Sequence, residues 1–251
     1  MTADTTSELG LSIDHQKSFW DWHWQHWQEE KVLSDWAVRR GEILLALLRS
    51  LPVVRPRILD FGCGMGWFTE KYAELGPTTG IDLSTEAIAL AQARCPHVTF
   101  IAGSAYEVAL PPANFDIVVS QEVFPRVQDQ PRYLERAAEL LRPGGYLVLT
   151  AANKFVMDRL GRSLGFAPRP PELIEQWVDR RGLRRMLRPW FDVIQMTTLM
   201  PIGNAGILRL VNSGKLNRLL GVVIPRRYLE RLKEWAGLGY TVLAVAQKRR
   251  L

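Results

Sequence analysis

The sequence predicts an α/β fold, a doubly wound and mostly parallel sheet with helices on both faces. From Arg57 onward, short apolar runs alternate with helical stretches, the pattern of parallel strands joined by crossover helices. The first of these runs enters a glycine-rich turn that opens a helix, as at nucleotide sites of open sheets. At 251 residues, with 47% hydrophobic and 23% charged side chains, the chain is long enough to bury one sizeable core without disulfide or metal.

Residues 1–14 are small and polar. Residues 15–50 have helical spacing, first aromatic (FWDWHWQHW), then apolar at Ile43, Leu44, Leu47 and Leu48, and stop at Ser50-Leu51-Pro52. Two helices are therefore expected before the sheet. Strands are expected at Arg57–Phe61, Thr78–Asp82, Val98–Ala102, Phe115–Ser120 and Tyr146–Thr150. Helices are expected between them at about Trp67–Leu75, Thr85–Arg94 and Gln130–Leu141, the last ending at Arg142-Pro143-Gly144-Gly145. A basic helical stretch at Pro171–Leu187, a strand at Phe191–Thr198, a helical insertion at about 201–237 and a closing strand at Tyr240–Gln247 bring the total to about seven strands. No repeat or low-complexity segment interrupts this order. The expected organisation is an N-terminal helical lid over 1–50 and one domain over 51–251 with its cap insertion.

Composition narrows the function classes. Cys63 and Cys95 make no disulfide framework, and no Cys/His cluster has the paired spacing of a zinc site, so a reducing cytoplasm and no metal are expected. The opening MTADTTSELG lacks a basic stretch followed by an apolar one, and no apolar run reaches the roughly 18 residues a membrane span needs. The net charge of +6 would suit a polyanion, but the basic residues are spread over Arg39-Arg40, Arg180-Arg181, Arg184-Arg185, Arg226-Arg227 and Lys248-Arg249-Arg250, among acidic or apolar neighbours. Nucleic acid is not an expected partner. Oligomeric state is not legible.

The chemistry is concentrated in RILDFGCGMGW, residues 57–67. Glycines at 62 and 64 allow left-handed backbone and let a ligand approach main-chain atoms. A pyrophosphate fingerprint requires its third glycine at position 67, where Trp67 would obstruct helix–strand packing. Asp60, just before the turn, suits a ligand that carries an ammonium group. Asp82, ending GID about 20 residues past Gly62, is placed to accept hydrogen bonds from both hydroxyls of a ribose.

In this order the stretches ILDFGCGMG, GIDLS, FDIVVSQEVF and LLRPGGYLVLT resemble the class I S-adenosyl-methionine-dependent methyltransferases, particularly the small-molecule enzymes similar to those of ubiquinone biosynthesis. The resemblance covers roughly Arg57 to Thr150. It implies a Rossmann-like sheet of order 3-2-1-4-5-7-6 with the last strand antiparallel, and S-adenosyl-methionine as cofactor. Carried over by position, Asp60, Gly62, Cys63 and Gly64 surround the methionine part of that cofactor, Asp82 holds its ribose and Leu83 covers its adenine. Ser104 and Ala105 match the family's adenine contacts, Ser104 standing where Asp is frequent. Gln121 and its neighbours to Val123 lie beneath the cofactor near the acceptor. Where the family often continues with Glu-His-Val, this chain has Pro125-Arg126-Val127, which removes one candidate base.

Trp20, His23, Trp24 and Trp27 share one face of the first helix by spacing, and Phe19, Trp22 and His26 another. The face with Trp20, Trp24 and Trp27 serves equally a helix packed on the domain and a lid over cofactor and acceptor. His23, His26 and Glu122 are the candidate proton acceptors; His97 precedes a strand on the side away from the site. Cys63 has no paired base, so a thiolate nucleophile is not expected. The expected reaction is an in-line methyl transfer to a small-molecule acceptor, taken as O-methylation of a partly apolar hydroxylated metabolite. N- or C-methylation, and a non-methylating S-adenosyl-methionine-binding cyclase or partner protein, are the alternatives. Nucleic-acid methylation lacks its Asp/Asn-Pro-Pro-aromatic tetrad, since Ser120-Gln121-Glu122-Val123 stands after the fourth strand.

Overall fold

The computed structural model describes residues 12–27, 34–160, 173–201, 206–220, 222 and 224–250. Its seven strands, β1 (Ile58–Phe61), β2 (Thr78–Asp82), β3 (Thr99–Ala102), β4 (Phe115–Gln121), β5 (Leu141–Ala152), β6 (Phe191–Pro201) and β7 (Gly239–Lys248), form one sheet of order β3-β2-β1-β4-β5-β7-β6. β1 to β5 pair in parallel, and β7 runs antiparallel between β5 and β6. This is the Rossmann-like order that the resemblance implied.

The central strands β1, β4, β5 and β7 are buried on both faces, so adjacent residues feed opposite cores. Leu59, Phe61, Val118, Leu147, Leu149, Val242 and Ala244 join Tyr133, Leu134, Leu183 and Leu187 on one side. Ile58, Ile117, Val119, Val148, Leu243 and Val245 join Leu44 and Leu48 on the other. Leu44 and Leu48 lie on α2 (Asp35–Ser50), which is thus part of the core layer, whereas α1 (Ile13–Trp27) lies against α4 (Thr85–Arg94). Side-chain caps start three of the helices: Ser34 accepts from Ala37 N at the head of α2, Ser84 from Ala87 N at that of α4, and Asp129 from Arg132 N at that of α5 (Gln130–Leu140).

Several boundaries differ from the sequence expectation. The first crossover helix, α3, is only Thr69–Ala73, because the residues from Gly62 to Phe68 are spent on the turn. β5 begins at Leu141, paired with Phe115 ahead of a register shift, so Arg142-Pro143-Gly144-Gly145 lies within the strand and not between helix and strand. A short α6 (Lys154–Leu160) follows. In the stretch expected to be helical over Pro171–Leu187, residues 171 and 172 lie outside the described residues, and only α7 (Arg180–Leu187) is helical. Residues 173–178 instead spend their main-chain groups on neighbouring segments: Gln176 N donates to Pro125 O at 2.8 Å, and Val178 O accepts from Lys154 N at 3.0 Å. The insertion between β6 and β7 holds α8 (Gly206–Val211), α9 (Gly214–Leu220) and α10 (Arg226–Trp235).

Candidate active site

The winding of the chain across the sheet reverses between β1 and β4, so the connections leaving their C-terminal ends turn to opposite faces and leave a crevice, where open α/β sheets bind ligands. A cavity of about 340 Å³ opens there, lined by the Gly62–Gly64 turn, Asp82 and Leu83, Ser104 to Tyr106, Gln121 to Val123, and α1 through Gln16, Trp20, His23 and Trp24. The structure thus brings together Gly62, Gly64, Asp82, Leu83, Ser104, Ala105, Gln121, Glu122, Trp20, His23 and Trp24 from the sequence-derived set. Asp60 and Cys63 sit beneath the turn. His26 is not brought to the cavity: it is exposed, its ring stacked on Trp22 with centroids 4.5 Å apart and its Nδ1 2.8 Å from Trp22 O. The side chain of Trp27 lies outside the described residues.

Backbone geometry explains the glycines. Gly62 and Gly64 have φ of 89° and 52°, and a Cβ on Gly62 would stand 2.2 Å from a Val123 methyl. The turn is pinned by Gly62 N and Cys63 N, which both donate to Ile81 O at 2.8 and 2.9 Å, and by Gly64 N, which donates to Asp82 Oδ2 at 2.8 Å. Ser84 N donates to Asp82 Oδ1 at 3.0 Å.

Two carboxylates, Asp60 buried and Asp82 half-buried beside the cavity, then stand close together without a cation partner among the described residues. Asp60 is 4% exposed and accepts only the Thr69 hydroxyl, at 2.6 Å. Burial pushes its carboxyl up to about 7, against that hydrogen bond, and the charge of Asp82 adds to the rise. Burial also raises Asp82, partly offset by the N–H groups of Ser84 and Gly64. Such a pair gains most from a cationic ligand. A cleft with a backbone turn stripped of Cβ atoms, a carboxylate at the end of β2 and a net need for positive charge fits S-adenosyl-methionine, whose ammonium and sulfonium supply that charge and whose ribose offers two hydroxyls.

Cys63 turns its side chain away, into a cluster with Ile88, Ala91 and Phe100. Burial, with the charges of Asp82 and Asp60, holds its thiol well above the usual range, so it stays protonated.

The wall facing the turn comes from α1. Asp21 docks this helix on the N-terminus of α4, accepting from Ser84 Oγ at 2.6 Å and Glu86 N at 3.3 Å while pairing with Lys17 Nζ at 2.6 Å. Burial favours the neutral carboxyl there, but these partners outweigh it and hold Asp21 below its usual range. So anchored, α1 lays the Trp24 ring on the turn, about 3.0 Å from where a Gly64 Cβ would stand. His23 sits among Phe19, Trp20 and Trp24, and burial first, then the Arg126 guanidinium, lower its pKa below the usual imidazole value. It is therefore uncharged at neutral pH.

Beyond the turn lies a charged end. Glu122 is held at φ 60° while its N–H donates to Thr150 Oγ1 at 3.1 Å, and its carboxylate lies 3.8 Å from Arg40 Nη1. Arg126, on a 3-10 turn over Phe124–Arg126, pairs with Glu175. Gln130 ties this turn to the 173–178 segment, donating to Phe124 O at 3.0 Å and Gln176 O at 2.8 Å, which sets Ile174 in the cavity wall. Ile13, Gln16, Tyr106, Arg126, Val127, Gln128 and Ile174 are the lining residues that sequence reasoning did not assign. Gln16 was readable by stepping the Trp20–His23–Trp24 face back one turn. Arg126 stood in view as the residue replacing the family's histidine. Ile174 had no local signal, since the segment was expected to be helical.

A protein-family model described as "Methyltransferase domain" matches residues 59–149. Over this stretch the chain is similar to the class I S-adenosyl-methionine-dependent methyltransferases. The matched residues hold the turn, Asp82 and the strand ends that frame the cavity. A ubiquinone biosynthesis O-methyltransferase from Azorhizobium caulinodans is 33% identical over 138 residues, covering 53% of each chain. The chain spans about half the length of most of the curated ubiquinone-biosynthesis relatives it matches. Among solved structures, an S-adenosylmethionine-dependent methyltransferase from Mesorhizobium loti superposes with TM-score 0.57 at 23% identity, over 80% of this chain and 95% of that one. The [4+2]-cyclase SpnF superposes with TM-score 0.58 at 21% identity, over 84% and 81%. At these identities both show a shared fold. Among the described residues no group of three or more His, Cys, Asp or Glu is placed to hold a metal ion, and no helix is long and apolar enough to cross a membrane.

Proposed function

We propose that the protein transfers the methyl group of S-adenosyl-methionine to an oxygen of a small, partly apolar hydroxylated acceptor. The observation that carries the oxygen assignment is His23: an imidazole kept uncharged, on the cavity wall facing the glycine turn, among Trp20, Trp24 and Phe19. A neutral imidazole there accepts the hydroxyl proton as the acceptor oxygen forms its bond to the methyl carbon. When bound, the cofactor supplies an electrophilic methyl on a sulfonium whose departure as a neutral thioether takes the bonding pair.

The chain's own contribution is placement. Asp82 and the Gly62–Gly64 turn hold the nucleoside side, and Asp60 beneath the turn offsets the ammonium. Trp20 and Trp24 close the cleft and exclude water, so α1 acts as the lid; their ring faces also favour a neighbouring sulfonium charge. Val123, Val127 and Ile174 give the acceptor an apolar wall, with Glu122 and Arg126 at its far end to orient polar substituents. Holding attacking and leaving atoms in line near 3 Å is worth several kcal/mol, about the scale set by effective molarities.

The test is methyl release from labelled S-adenosyl-methionine with matched phenolic, alcoholic and amine acceptors. Turnover of hydroxylated acceptors, lost with His23→Ala, supports the reading. Turnover confined to amines overturns the oxygen assignment, and tight cofactor binding with no methyl release from any acceptor favours a non-methylating role.

A further inference from the structure

We propose that the helical cap between β6 and β7 docks the protein on the surface of a bilayer containing anionic phospholipid. α10 is fixed to the sheet by its inner side: Leu229 and Lys233 are buried, Thr198 Oγ1 donates to Glu234 O at 2.6 Å, and Met200 N donates to Glu234 Oε1 at 3.3 Å. Its outer side is apolar as well. Tyr228, Leu232 and Trp235 fall at i, i+4 and i+7, hence on one face, and are 50%, 54% and 73% exposed. In the residues just before, Leu219 and Val222 are 70% and 83% exposed. Half of the large apolar side chains exposed among the described residues thus belong to this cap, a density that marks a surface of interaction.

Charge identifies the occupant. Residues 206–235 carry seven Lys and Arg against two Glu, and so account for five of the chain's six net positive charges. Arg209, Lys215, Arg218, Arg226, Arg227 and Arg231 are all exposed, and Arg227 lies over the Tyr228 ring, 4.9 Å from its centroid. Exposed aromatic and leucine side chains rimmed by arginine match the boundary between acyl chains and anionic headgroups. A nucleic acid would neutralise the charge but leave Leu219, Val222 and Leu232 in water. A second copy would set one basic cap against another. The cap's root also touches the catalytic end: Leu208 packs with Val156, Phe155 and Tyr240, and the Tyr240 hydroxyl feels the charges of Glu122 and Arg126.

The experiment is cosedimentation of the full chain with phosphatidylcholine vesicles, with and without about 30% phosphatidylglycerol, alongside light scattering and duplex-DNA binding. Binding to the anionic vesicles is expected, at least about tenfold weaker on phosphatidylcholine alone or in ~0.5 M salt. It should fall about tenfold both in Tyr228→Ser/Leu232→Ser/Trp235→Ser and in Arg226→Gln/Arg227→Gln/Arg231→Gln. Unchanged circular dichroism and S-adenosyl-homocysteine affinity in both variants keep folding and the cofactor site apart from the result. Failure of the folded wild type to bind anionic vesicles overturns the proposal, as does vesicle binding that neither variant weakens. So does a DNA affinity lost only with the arginines, or a dimer lost only with the stripe, when vesicles are not bound.

Discussion

Asp60, one residue before the end of β1, and Asp82, the last residue of β2, lie on neighbouring parallel strands at the foot of one glycine turn, and the charge of Asp82 adds to the burial pushing Asp60 up to about 7. A carboxyl raised in the folded state binds a proton more tightly there than in the unfolded chain. The stability it contributes is therefore greatest at low pH and is lost as pH rises from its unfolded value near 3.8 through 7.

A cationic ligand reverses that trend for binding. S-adenosyl-homocysteine affinity should rise with pH between 5.5 and 7.5, by up to roughly tenfold per unit below 7, as Asp60 gives up its proton to accommodate the ammonium. Asp60→Asn should flatten the profile and raise the melting temperature of the ligand-free protein at pH 8. Calorimetric titrations across pH, paired with thermal melts, read both.

Asp82→Asn removes the charge that the proposed function sets against the ribose and turns an amide NH2 toward either Gly64 N or Ser84 N, both of which donate to the carboxylate. A loss of about 100-fold in S-adenosyl-homocysteine affinity, ~3 kcal/mol, is expected, with the far-ultraviolet circular dichroism unchanged. Titration calorimetry measures it.

His23→Gln should leave cofactor affinity intact and lower kcat by about 10² to 10⁴ on a hydroxylated acceptor. In the wild type, kcat/KM should decline below an acidic limb lying under pH 6.5, since burial and Arg126 both disfavour the protonated ring. A wild-type profile flat from pH 5 to 8 would contradict the assignment.

Gly62→Ala puts a Cβ 2.2 Å from Val123 at φ 89°. A destabilisation of about 2–3 kcal/mol is expected in urea titrations. Adding Val123→Ala should recover only the steric part, leaving the strained φ.

Asp21→Ala removes the anchor of α1 at the start of α4. Amide exchange should accelerate across residues 13–27 and at Glu86 while the sheet is unaffected, and KM for cofactor should rise several-fold, about 1 kcal/mol as for a lost helix cap.

Much of this was legible before the structure. Strand positions followed from apolar runs such as Ile58–Phe61 and Ile117–Val119, whose burial on both faces leaves no polar alternation to misread. The glycine turn, Asp60 and Asp82 followed from spacing, because backbone sterics and charge act locally. Distant partners were not legible. Nothing near Arg126 announces Glu175, which reaches it only because Gln130 and Gln176 tie two remote segments together. His23 and His26 were equal candidates on one helix until Asp21 fixed its rotation and turned His23 inward.

The position of β7 also sets an order of events during synthesis. Among the described residues β6 pairs with β7 alone, and β5 needs β7 on the side away from β4. Until the residues from Gly239 onward have left the ribosome, β5 presents an open, apolar edge and β6 has nothing to pair with, the condition under which nascent chains associate wrongly. Premature termination between the end of β5 and Gly239 would thus leave the glycine turn and its carboxylates fully encoded, yet yield a chain prone to aggregate and dependent on chaperones.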